Sequence, residues 1–207
     1  MQILIVHGLD SDSKDNWFPW LKAQLEGRGS LQVCSSTGQI ARSEISVASR
    51  QPFTVECPDM PNSKNPKQEE WLAKLSEVTM NCKDSFILVG HSLGTIAVLR
   101  FLEKTNLKLM GVILVAGFTQ GFGVKAISDF FKTPFDFEKI RTKSKKFIVI
   151  SSDNDPYLPI TEGKKLADKL NAEFIVEKNA GHIDSESGFS KYERILDIII
   201  KLKMELK

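Results

Sequence analysis

The stretch VGHSLGT, Val89 to Thr95, joins the apolar run Phe86-Ile87-Leu88-Val89 to a second one, Ile96-Ala97-Val98-Leu99. The first run reads as a buried strand and the second as the opening of a helix. Glycines two residues before and after Ser92 suit a reversal so sharp that the serine takes a strained backbone conformation. Any Cβ at those places would meet the strand or the helix. Such a turn lifts Ser92 clear of the sheet. It also sets Ser92 at the head of a helix whose free N–H groups, that of Leu93 among them, can stabilise negative charge.

Similar apolar runs occur at Ile3 to Val6, Phe53 to Cys57, Val112 to Val115, Phe147 to Ile150 and Phe174 to Val176. Helix-like stretches alternate with them: Trp17 to Glu26, Gln68 to Val78, Thr95 to Lys104, Thr161 to Leu170 and Tyr192 to Met204. Unbroken apolar strands alternating with helices predict an α/β three-layer sandwich, a parallel sheet of about six strands covered on both faces. At 207 residues one domain spanning 1–207 is the expectation. Two segments break the alternation. Residues 30–52 read as a surface insertion, because so long a connection is uncommon in a compact α/β unit. Residues 117–140 hold Phe118, Phe122, Phe130, Phe131, Phe135 and Phe137, nearly half of the 13 phenylalanines, and read as a cap-like segment.

Composition narrows the function classes. Lys and Arg total 28 against 26 Asp and Glu, a net charge of +2, which gives no basic surface for nucleic acid. Cys34, Cys57 and Cys82 are odd in number and form no C-x-x-C pair, so reduced thiols in a cytoplasmic protein are expected. The opening MQILIVHGLD lacks a basic n-region and has only four consecutive apolar residues, so it reads as a strand; no segment reads as a membrane span. GFTQGFG is not G-x-G-x-x-G and no G-x-x-x-x-G-K-[ST] occurs, which argues against a nucleotide enzyme.

A serine nucleophile needs a base and an acid that orients the base. Only His7, His91 and His182 are available. His91 adjoins Ser92 and cannot readily fold back onto it, so it reads as a packing residue. His7 ends the first strand and reads as shaping the loop beside the pocket. His182, in NAGHIDSE after the sixth strand, is the expected base. Asp153 and Asp155 both follow the fifth strand in SSDNDPYLP. Asp155 is favoured because Pro156 and Pro159 restrict its loop, while Asp153 could brace the turn. The resulting order Ser92, Asp155, His182 is that of the α/β-hydrolase elbow, with every member at a carboxyl strand end.

On these residues the chain resembles the small α/β-hydrolases of the retinoblastoma-binding-protein-9 and YdeN type. The matching pieces are ILIVHG at 3–8, NWFPWLKAQLEGRG at 16–29, CPDMP at 57–61, GHSLGT, DPYLP at 155–159 and AGH at 180–182. The resemblance implies a reduced α/β-hydrolase fold with six parallel strands in the order 2-1-3-4-5-6. It also implies an oxyanion hole from the backbone N–H groups of Leu9 and Leu93, and a triad of Ser92, Asp155 and His182. None of the cysteines lies in the L-x-C-x-E motif that gives the human member its name, so a retinoblastoma-binding role is not carried over.

Together these features predict a serine hydrolase acting on a small-molecule or short peptide substrate, an ester or an amide, without a cofactor or metal. His7, Trp17, Phe118 and Phe122 are the expected substrate-pocket residues, with Trp20 at the edge. The competing expectation is a hydrolase-fold binding or scaffolding protein without chemistry, since fold alone does not guarantee activity. For the Phe-rich segment the alternative is a helix that uses Phe130 and Phe131 to seal the sheet.

Overall fold

A computed structural model describes residues 1–27, 53–80, 82 and 86–205; the expected insertion at 30–52 lies outside them. Six strands run in chain order as β1 (Gln2–Val6), β2 (Thr54–Glu56), β3 (Ile87–His91), β4 (Gly111–Val115), β5 (Phe147–Ser152) and β6 (Glu173–Glu177). They form one sheet in the order β2-β1-β3-β4-β5-β6, parallel at every pairing. The helices are α1 (Phe18–Leu25), α2 (Gln68–Thr79), α3 (Leu93–Lys104), α4 (Phe137–Arg141), α5 (Ile160–Leu170) and α6 (Glu193–Glu205).

The period of two along each strand sorts side chains between two cores. Leu4, Val6, Leu88, Val112, Leu114 and Val149 face a cluster built with α2, α3 and α5. Their neighbours Ile3, Ile5, Val89, Ile113, Val115 and Ile150 face a second cluster with α1 and α6. Both faces are therefore covered, which is why the inner strands are apolar without interruption. The sheet is the middle of three layers, as in α/β-hydrolases. Among the described residues no helix is long and apolar enough to cross a membrane.

The chain leaves β1 for β2 on one side and returns to β3 on the other. That reversal opens a crevice between β1 and β3 at their carboxyl ends, where open α/β sheets bind ligands. Gly8 and Ser92 lie at its two lips. Helix α3 is buried from Leu93 to Leu102, the one charge among those residues being Arg100.

Arg100 explains how the Phe-rich segment is fixed. Its Nε donates to the Phe130 carbonyl at 2.9 Å, its other nitrogens donate to the carbonyls of Thr133 and Pro134, and its guanidinium lies 3.7 Å above the Phe135 ring. The segment forms a 3-10 helix, Lys125–Phe131, whose Asp129 carboxylate accepts the Gln68 N–H at 2.8 Å at the start of α2. At its entry buried Glu162 accepts from the Thr119 N–H at 3.1 Å, the Thr119 hydroxyl at 2.7 Å and the Gln120 amide at 2.9 Å. The phenylalanines of this segment divide between core and crevice. Phe130 is fully buried with its ring 5.6 Å from Trp71, whereas Phe118 and Phe122 line the crevice.

Candidate active site

Ser92 has φ 53° and ψ −125°, the strained conformation that the flanking glycines make reachable. A Cβ on Gly94 would stand 2.1 Å from the Val6 carbonyl oxygen, and one on Gly90 would stand 2.8 Å from the Thr95 Cα. The helix can thus start hard against β1. The Ser92 N–H donates to Val115 O at 3.0 Å, and the Ser92 carbonyl accepts the Thr95 N–H at 2.9 Å and the Thr95 hydroxyl at 2.7 Å. Only the hydroxyl is left for the crevice. Gly8 comes so close that its Cβ would lie 3.4 Å from the Ser92 Oγ.

The loops after β5 and β6 fasten to each other residue by residue. The Asn179 N–H donates to Asp153 Oδ1 at 2.7 Å, the Ala180 N–H to Ser152 Oγ at 3.1 Å, and the Gly181 N–H to Asn154 Oδ1 at 2.8 Å. The next contact in the series is between side chains, His182 Nδ1 to Asp155 Oδ2 at 2.7 Å. The other oxygen of Asp155 accepts the N–H groups of Tyr157 at 2.8 Å and Leu158 at 3.0 Å. Asp155 is thereby held as an acceptor toward His182, so Nδ1 carries the proton and Nε2 is left to accept one. Asp153, the other candidate, braces the turn.

Ser92 and His182 line one cleft of about 820 Å³. Phe118, Phe122, Val124, Ile127 and Leu158 make an apolar wall; Asp10, Asp15, Asp184 and Glu186 stand elsewhere around it, and among the described residues no Lys or Arg is in the lining. Burial pushes Asp184 up, but hydrogen bonds from Ser187 outweigh that and hold its carboxyl below the usual range. Asn16 accepts the Ser185 N–H at 2.9 Å, which joins the loop after β1 to the loop after His182. Among the described residues, no protein acceptor takes the N–H of Leu9 or Leu93.

A sequence profile of the serine hydrolase family matches residues 44–201, more than half of the chain. This chain belongs to the serine hydrolase family. It is 31% identical over 201 residues to the hydrolase YdeN of Bacillus subtilis (strain 168), a match that covers 96% of this chain and 94% of YdeN. It is 30% identical over 129 residues to the serine hydrolase RBBP9 of Rattus norvegicus, covering 61% and 68% of the two chains. The crystal structure of the ydeN gene product superposes with a TM-score of 0.84 at 30% identity, covering 99% of each chain.

In this serine hydrolase two expected pocket residues stand behind the cleft wall. His7 is fully buried; its Nδ1–H donates to Gly8 O at 2.9 Å and its Nε2 accepts the Met60 N–H at 2.8 Å. Burial holds its imidazole below the usual range, so it serves as a neutral strut between β1 and the chain after β2. Trp17 is also fully buried, its ring nitrogen donating to Ile183 O at 3.0 Å, and half-buried Trp20 packs on the second core. Trp17 is turned inward because it opens the apolar stripe of α1 with Phe18 and Leu21. Phe118 and Phe122 do reach the hydrolase cleft. His91 does more than pack: it touches the chain at His182, a contact sequence spacing gave no sign of.

Proposed function

We propose that this hydrolase cleaves carboxylic esters or amides with apolar acyl groups, through an acyl-enzyme on Ser92. The reading is carried by the His182–Asp155 contact at 2.7 Å, with His182 lining the same cleft as a strained serine. Ser92 Oγ attacks the carbonyl carbon while its proton passes to His182 Nε2. Asp155 keeps Nδ1–H in place and stabilises the imidazolium that forms. The carbonyl oxygen takes up the negative charge against the Leu9 and Leu93 N–H groups, an arrangement whose donors are each worth roughly 10²- to 10³-fold in rate. His182 then gives its proton to the leaving alcohol or amine. Water, activated by the same nitrogen, attacks the acyl-enzyme, releases the acid and restores Ser92.

The apolar wall of Phe118, Phe122, Val124 and Ile127 suits the acyl chain, since each buried CH₂ contributes about 0.8 kcal/mol. Rapid-mix kinetics with p-nitrophenyl esters of two to eight acyl carbons test this. A burst of p-nitrophenol equal to the enzyme concentration, lost in Ser92→Ala, is expected, with kcat/KM rising along the series. Steady release without a burst in every ester, unchanged in Ser92→Ala, would rule out the acyl-enzyme. A flat chain-length profile would remove the acyl role from the Phe-rich wall.

A further inference from the structure

The turn that carries His182 is held from behind by two buried rings. Gly181 and Ile183 have φ of 52° and 55°. The left-handed region is costly for a β-branched residue, so Ile183 would leave it unless something held the turn. Two consecutive carbonyls of the turn point into the protein, each to a ring nitrogen. His182 O meets His91 Nε2 at 3.0 Å, and Ile183 O meets Trp17 Nε1 at 3.0 Å. A carbonyl only accepts, so His91 carries its proton on Nε2. The two rings meet edge to face at 6.1 Å, and His91 stands edge-on to the His182 ring at 5.1 Å.

His91 is also the residue before Ser92. It joins nucleophile and base by a route of one peptide bond and one hydrogen bond, although the two come from loops on different strands. Burial pushes the His91 imidazole down to about 4, so it is uncharged near neutrality and does not oppose a positive charge arising on its neighbour His182.

We infer that His91 and Trp17 are positioning residues, whose ring N–H groups clamp the carbonyls of His182 and Ile183 and so fix the base in register with Ser92. The inference rests on the catalytic reading of Ser92, His182 and Asp155. Without the clamp the turn relaxes, and a displacement near 1 Å at a reacting group lowers turnover about 10²-fold.

The test compares wild type, His91→Phe, His91→Gln and Trp17→Phe in ester turnover and in labelling by a fluorophosphonate, with ¹⁵N-histidine NMR of wild type alongside. His91→Phe is expected to lower kcat and the labelling rate about 10²-fold with KM within about twofold. His91→Gln, which keeps an N–H donor, is expected to recover most of the loss, and Trp17→Phe to fall between them. The NMR of wild type is expected to show a slowly exchanging Nε2–H on His91 at neutral pH. A folded His91→Phe that labels at the wild-type rate overturns the clamp. So does an Nδ1–H tautomer on His91, a result that needs no variant to fold. Failure of wild type itself to label at Ser92 would instead bring down the catalytic reading on which the clamp stands.

Discussion

Replacing Gly94 by alanine probes the elbow at its tightest point. The new Cβ would lie 2.1 Å from the Val6 carbonyl oxygen and 2.6 Å from that of His7, while real Cβ contacts essentially never fall under 3.0 Å. Both obstacles are backbone at the end of β1, which pairs with β2 on one side and β3 on the other. Neither can rotate aside, so α3 and β1 must part by about 0.9 Å to reach even that limit. The residues pushed are those leading into Gly8 and Leu9, so the Leu9 N–H moves away from that of Leu93. Overpacking of this kind destabilises by about 1–3 kcal/mol, small enough for the protein to stay folded. With the Leu9 N–H as the proposed oxyanion donor, its displacement is expected to lower kcat/KM about 10²-fold. Ester turnover and urea unfolding of Gly94→Ala measure both effects. Gly27→Ala is the control: its φ of 75° strains an alanine, but no described residue lies within 4 Å of the new Cβ, so stability falls about 1 kcal/mol and turnover does not. Wild-type kcat/KM in Gly94→Ala would refute the close packing of elbow on β1.

The two loop aspartates separate by chemistry. In Asp155→Asn the amide oxygen must face the N–H groups of Tyr157 and Leu158, which turns its NH₂ toward His182 Nδ1 and forces the wrong tautomer; kcat falls about 10⁴-fold. Asp153→Asn keeps an acceptor for the Asn179 N–H and stays within about tenfold; similar losses in the two variants would contradict this division. Stability depends on pH through His91, whose imidazole is held at about 4 against 6.5 when exposed. Between those values the unfolded chain binds the extra proton, so stability is lost as pH falls through that window, by about 3 kcal/mol in full. Urea midpoints at pH 7 and pH 4.5 should therefore differ less in His91→Gln than in wild type; equal differences would show His91 uninvolved. The carboxylates around the cleft favour a cationic leaving group, so a choline ester should show a severalfold lower KM than its neutral 3,3-dimethylbutyl analogue at low salt, a gap that closes as salt rises. Equal KM values at low salt would remove the charge preference.

Much of this was legible because the fold repeats its logic. Apolar strand runs told where β1 to β6 lie to within a residue or two, and strand ends pointed to the loops that carry Ser92 and His182 to one cleft and Asp155 to His182. The sequence could not separate Asp153 from Asp155 outright, because two carboxylates two residues apart share one loop and only register with Asn179 to His182 divides their roles. His7 and Trp17 were misplaced for a different reason. A strand end or helix start gives proximity to a cleft, while side-chain direction is set by partners such as the Met60 N–H and Ile183 O, distant in sequence. His91 read as a packing residue, and its contact with His182 O was not legible for the same cause: the acceptor is a backbone carbonyl, which leaves no residue signature. The Phe-rich stretch could not be divided into wall and core because a 3-10 helix between irregular turns shows no 3.6-residue stripe.

The central claim, that Ser92 is a nucleophile activated by His182, meets its most direct test in intact-mass spectrometry after exposure to a fluorophosphonate. One adduct per wild-type chain, mapped to Ser92 and absent from Ser92→Ala and His182→Ala, is the expected result. A folded wild-type chain that takes no adduct, or takes it on another residue, would contradict the claim.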